Sequence, residues 1–270
     1  MIKNTFLTFL FILLAASLSA QRAFDLESAR KMALANNKMI ILDFWASWCG
    51  PCRTMDAELW NTPEFTALMD RFVFVRIDID ANRALAQQYS VRSIPRVVVI
   101  TPNDDRLFDQ SGFGGAEMYL DAFRSFPLDN ENLNESLIAL RNVDEPKATH
   151  FLAVGEDMQT IGYGIEDTKT KIKFLTVSDQ YFKRAEKKAQ TAAVEQEAQL
   201  AQLLNDAYLG KHKKVLKKID KGDFSESEAR LANLKNYVLA YCYQCVGQKE
   251  NAQKAKSKIT DRALLARLPE

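Results

Sequence analysis

The apolar run Met39-Ile40-Ile41-Leu42-Asp43-Phe44 and the pair Cys49/Cys52 that follows it constrain this chain more than any other feature. A short, nearly continuous apolar run suits a strand buried on both faces of a sheet rather than an edge strand. Asp43 is the one charge in it. Unless it faces solvent at the strand end, desolvation there should raise its carboxyl pKa. Cys49 then falls where a helix begins, with Pro51 in the first turn, where its missing N–H removes no intrahelical bond. The unpaired N–H groups and partial positive charge of a helix start favour a thiolate, lowering a cysteine pKa from about 8.5 toward about 7. Cys52, inside the first turn, would be shielded and act second. The spacing alone leaves open a structural disulfide or half of a metal site.

Around this pair the pattern predicts a helix over 26–36, strands over 39–44 and 72–79, helical turns after Cys49 broken at Asn61-Thr62-Pro63, and a further turn over 64–69. A helix over 81–89, strands over 97–101 and 106–110, and a helix over 116–126 follow. Strands alternating with helices and closing in a hairpin predict an α/β fold, with a mixed central sheet and helices on both faces.

The segment Asp43-Phe44-Trp45-Ala46-Ser47-Trp48-Cys49-Gly50-Pro51-Cys52 strongly resembles the thioredoxin active site, and Ser93-Ile94-Pro95 resembles that family's cis-proline loop. The resemblance runs over residues 24–127. It implies a thioredoxin fold and a redox-active Cys49–Cys52 disulfide, with no other cofactor and no metal. Cys49 would attack a partner's disulfide and Cys52 would resolve the mixed disulfide. Asp43 matches the family's buried acid, the base for Cys52, and Pro95 matches the loop proline. Trp48, Gly50, Pro51, Ile94 and Arg96 would form the substrate-binding surface, where an extended segment could pair beside Pro95. Arg76 stands where the family commonly has lysine, and a guanidinium does not readily release a proton. Arg96 replaces a small or hydroxyl residue, and its charge near the mouth would favour acidic substrate segments.

The stretch Leu59-Trp60-Asn61-Thr62-Pro63-Glu64-Phe65 looks more like periplasmic relatives such as the C-terminal domain of the transmembrane reductase of the Dsb system. With Gly50-Pro51 between the cysteines, this resemblance implies a reductase of disulfides in other exported proteins, recharged by a membrane thiol-reductase donor. An oxidase or isomerase using the same pair, or a helical binding or chaperone scaffold with a secondary redox site, are the alternatives.

Lys3, the apolar run from Phe6 to Leu18, and Ser19-Ala20 read as a signal peptide cleaved before Gln21, with an uncleaved anchor as the alternative, which predicts a place in the periplasm or outside the cell. The expected organisation is a signal peptide over 1–20, a thioredoxin-like domain over 21–128 and an α-helical domain over 129–270. In the last of these, 200–216 and 234–255 each read as helix, turn at Gly210 or Gly247, helix. Thr149 to Lys188 reads as a degenerate third hairpin around Gly162 and Gly164. The spacing suits a short tetratricopeptide-like solenoid, a docking module for proteins.

A formal charge of +1 gives no global field for nucleic acid, and no phosphate-binding loop or nucleic-acid module is present. Cys242/Cys245 falls inside a helix, without the activating dipole, and reads as small apolar residues rather than a second redox centre. Lys211-His212-Lys213-Lys214 with Lys217, Lys218 and Lys221 reads as one helix's solvated face, or as a surface for an acidic partner or membrane. His150 and His212 read as surface or capping residues.

Overall fold

The computed structural model describes residues 25–269, so the expected signal peptide lies outside the described residues. Asp25 starts helix α1 (Leu26–Ala35) by accepting the Ser28 N–H at 2.6 Å, and strand β1 (Met39–Trp45) follows. Alternation along β1 sets the two layers. Ile40, Leu42 and Phe44 pack with Ala29, Ala33 and Tyr89, whereas Met39 and Ile41 pack with Met55, Leu59 and Phe123 on the opposite face.

Helix α2 (Gly50–Met55) runs on through a π-helical turn to Trp60, and Thr62 caps the short α3 (Pro63–Thr66). Strand β2 (Phe72–Asp78), helix α4 (Arg83–Gln88), strands β3 (Arg96–Ile100) and β4 (Arg106–Ser111), and helix α5 (Ala116–Arg124) complete this part. The sheet order is β2-β1-β3-β4, with β1 parallel to β2 and antiparallel to β3. The expected mixed sheet with helices on both faces is present.

Everything beyond is helical. Helix α6 (Glu131–Arg141), unanticipated as a separate element, precedes three hairpins and a last short helix. These are α7 (Ala148–Gly164) with α8 (Thr168–Lys188), α9 (Ala192–Tyr208) with α10 (His212–Lys221), α11 (Ala229–Cys245) with α12 (Lys249–Lys256), and finally α13 (Arg262–Ala266).

Gly210 and Gly247 make the two expected turns with φ of +80° and +78°. The motif is the same at both, because the Lys211 N–H returns to the Asp206 carbonyl at 3.0 Å and the Gln248 N–H to the Tyr243 carbonyl at 2.9 Å. The hairpin expected around Gly162 and Gly164 instead turns at residues 165–167, because Gly162 is helical and serves close packing. A Cβ on Gly162 would sit 3.0 Å from Leu175 and 3.1 Å from Phe174.

One buried cluster runs from Met39 and Ile41 through Phe126 into Phe151, Phe174 and Tyr181 of the hairpin α7/α8. The Phe126 and Phe174 rings lie 5.7 Å apart. Polar contacts join the same parts: Asn130 and Asn134 donate from Nδ2 to the carbonyls of Asn37 and Ala33, at 3.0 and 3.2 Å, at the end of α1. The β3–β4 turn is held from the other side. Arg141 donates to the Pro102 carbonyl at 3.0 Å, and the Tyr181 hydroxyl donates to Asp105 Oδ2 at 2.9 Å. Among the described residues no helix is long and apolar enough to cross a membrane.

Candidate active site

Two backbone features place the cysteines. β1 ends at Trp45, and Cys49 takes the N-cap position of α2, its Sγ accepting the Cys52 N–H at 3.1 Å. Pro51 sits in the first turn, as its missing donor allows. Cys49 and Cys52 form a disulfide. Both are only 3% exposed, so burial does not distinguish them in the oxidised state, and the difference anticipated from shielding of Cys52 reduces to position along the helix. The sulfurs pack against Ala46, Ile79 and Ile94.

Around them Trp48, Gly50 and Pro51 are open to solvent, Trp48 at 64%. The Trp48 indole is oriented by donating from Nε1 to Asp80 Oδ2 at 2.8 Å. The Ile94–Pro95 peptide is cis and Pro95 is buried, with its carbonyl accepting the Gly112 N–H at 2.8 Å.

Asp43 shares the face of β1 that carries Met39 and Ile41, and is 1% exposed. Parallel register sets it opposite Arg76 of β2, whose Nε donates to Asp43 Oδ2 at 3.1 Å. The other carboxylate oxygen, Oδ1, is buried with no hydrogen-bond partner. Burial raises the Asp43 pKa to about 6, and the Arg76 guanidinium opposes the rise without cancelling it. Arg76 also reaches Asp56 at 2.9 Å and lies over the Trp45 ring, 4.5 Å from its centroid. It therefore ties the acid, the helix after the dithiol and the end of β1 together as a fixed positive charge.

Asp56, Trp45 and Asp80 are site residues the sequence reading did not single out. The parallel register, with Trp45 facing Asp78, was the signal that brings the end of β2 to the dithiol.

Arg96 is corrected by the structure. It makes a two-pronged pair with Asp109 at 2.8 and 2.7 Å and donates to the Ser90 carbonyl at 2.7 Å. A guanidinium matched in this way offers no free charge to attract acidic substrate segments.

The remaining candidates separate clearly. Cys242 and Cys245 are free thiols in the last turn of α11, one buried and one exposed. Burial pushes the Cys242 pKa up to about 12, opposite to activation. His150 caps α7 by accepting the Lys147 N–H at 3.0 Å, and His212 lies beside the Tyr241 ring. Among the described residues no group of three or more His, Cys, Asp or Glu side chains gathers as a metal site would require.

A sulfur at a helix start, able to take a bond from a partner disulfide and lose it to a neighbour one turn deeper, makes this chain a thiol–disulfide oxidoreductase. The cysteine pair itself carries the electrons. Comparison with known proteins gives the family. The thioredoxin sequence profile matches residues 23–120. Thioredoxin-1 of Drosophila yakuba is 34% identical over 88 residues, which cover 33% of this chain and 77% of that protein. Thioredoxin of Mycoplasma genitalium is 38% identical over 65 residues, 23% of this chain and 58% of that protein. Among solved structures, the oxidised C-terminal domain of DsbD from Neisseria meningitidis shows 31% identity and a TM-score of 0.32, covering 41% of this chain and 93% of that one. The chain belongs to the thioredoxin family, and the profile match ends before α6.

Proposed function

We propose that the chain is an exported reductase of disulfides in other exported proteins, recharged by a membrane thiol-reductase donor and confined to the periplasm or the cell exterior. The observation that carries the dithiol chemistry is Cys49 at the α2 N-cap with Asp43 buried on the α2 side of the sheet. Export rests on the Phe6–Leu18 run and its small-residue end, and reduction as the direction rests on Gly50-Pro51.

In the reduced enzyme the Cys49 thiolate attacks one sulfur of the substrate disulfide. That S–S bond breaks, the departing sulfur takes up a proton, and a mixed disulfide joins substrate to Cys49. Cys52 then loses its proton to Asp43, which is ionised above about pH 6, and attacks the Cys49 sulfur. The second substrate thiol leaves, and two electrons have passed from the dithiol to the substrate. The donor dithiol reverses the change at Cys49–Cys52. Trp48 and Ile94 supply the apolar docking surface beside the buried sulfurs, and the helical part serves as a protein-docking module.

Reduction of a disulfide-bonded model protein with dithiothreitol as electron source tests this reading. Wild type should accelerate it, Cys49→Ser should not, and the reduction potential should fall near the thioredoxin value of about −270 mV. A potential near −120 mV, the value of a strong oxidant, would replace reductase by oxidase.

A further inference from the structure

The helical part separates its charge by layer. Helices α7, α9, α11 and α13 line a common cavity of about 510 Å³, whereas α8, α10 and α12 contribute nothing to its wall and are the outer helices of the hairpins, α8 being covered on one side by the sheet part. The inner helices α7, α9, α11 and α13 together carry five acidic residues against three basic ones. The outer helices α8, α10 and α12 carry fifteen basic residues against four acidic ones. In a chain whose formal charge is only +1, this is a local field rather than a general excess.

α10 is its densest part. Val215 and Ile219 bury one side of the helix, while Lys213, Lys214, Lys217 and Lys221 are exposed. The nearby Asp206 takes Lys211 and Lys218, at 2.8 and 3.5 Å, and the other four lysines enter no ion pair among the described residues.

The geometry points to this exposed side of α10 as a docking face for an anionic phospholipid surface. Two features favour a bilayer over an acidic protein. Fourteen of the fifteen basic residues are lysines, and the one arginine, Arg184, is stacked over Phe151 at 4.3 Å rather than presented. Lysine is a point charge without the planar fork that reads a fixed carboxylate. The unpaired lysines of α10 also lie along an open helix side rather than in a pocket, which suits a broad field of mobile phosphates. Such contact would hold the enzyme at a membrane surface by its helical part, by attraction that salt weakens.

Flotation of the full chain with phosphatidylcholine vesicles, with and without roughly one-third phosphatidylglycerol, tests this. Binding should require the anionic lipid and be lost when salt is raised to about 0.5 M. Replacing Lys213, Lys214, Lys217 and Lys221 by Gln should lower partitioning by about 1000-fold, and the four-fold Glu variant should lose more. Both variants should keep wild-type helical circular dichroism, which reports an intact fold. Equal binding to neutral vesicles, equal binding by the charge-reversed chain, or no binding to anionic vesicles would overturn the proposal. Retention on immobilised polyglutamate without binding to anionic vesicles would overturn it in favour of an acidic protein.

Discussion

At Asp43 the protein holds a carboxyl group where its charge is disfavoured, and this has a definite sign in pH. Its pKa rises from 3.8 to about 6 on folding, so between those values the native state binds more protons than the unfolded chain, and stability falls as pH rises through the interval. Asp43→Asn should therefore gain stability relative to wild type on going from pH 4 to pH 8, by up to about 3 kcal/mol, measured as the difference in denaturation free energy at the two values. The same variant should slow resolution of the mixed disulfide on the order of 100-fold and remove the acid limb near pH 6 from the rate profile. Arg76→Met, by deleting the opposing charge, should move that limb upward on the order of one unit. The placement of the site was legible because Cys49, Cys52, Pro95 and Asp43 lie where local pattern puts them, at a helix start, a loop and a strand. Arg96 misled because its partner Asp109 sits on the neighbouring strand β4, a pairing that only the register fixes.

Among the elements, the hairpin α7/α8 is packed closely at glycine. A Cβ on Gly155 would lie 2.5 Å from the ring of Phe182, itself fully buried, and the Gly155 carbonyl accepts the Ser178 hydroxyl at 2.8 Å. Gly155→Ala should thus destabilise by about 1–3 kcal/mol, although alanine is the better helix former by about 1 kcal/mol. A shift of the urea midpoint to lower concentration checks it, and a midpoint at or above wild type would show that Phe182 moves aside. Turn glycines were legible where φ is positive, at Gly210 and Gly247, because both follow a helix that ends there. Gly162 was read the same way, yet it is a contact glycine, and nothing local distinguishes a glycine that turns from one that makes room. Helix α6 was legible in the helical spacing of Leu133, Leu137 and Leu140, which it buries, but the polar stretch 129–132 that opens it reads as a linker and hid its start.

For the whole molecule, the sheet and the hairpin α7/α8 share a core, the helices from α9 onward pack around a second one, and the β3–β4 turn is the polar seam between the sheet and α8. Asp105 is half-buried there, its pKa raised mainly by desolvation, with Thr101 and Tyr181 as its hydrogen-bond partners. Tyr181→Phe should cost about 1–2 kcal/mol, because it leaves a half-buried carboxyl short of a donor. Tryptophan fluorescence, which reports the thioredoxin part through Trp45, Trp48 and Trp60, and helical circular dichroism should then shift together, since α7/α8 shares the sheet's core and its loss uncovers α9. A variant that shifts only the circular dichroism would show that the two parts unfold separately.

The account turns on one sulfur being held as an anion at the start of α2. Its direct test is the rate of alkylation by iodoacetamide against pH on the fully reduced chain, with the modified cysteine identified by mass mapping. Cys49 should react first, with a midpoint near pH 7, while Cys52 stays largely unmodified. A Cys49 midpoint at the ordinary thiol value of about 8.5, or faster modification of Cys52, would contradict it.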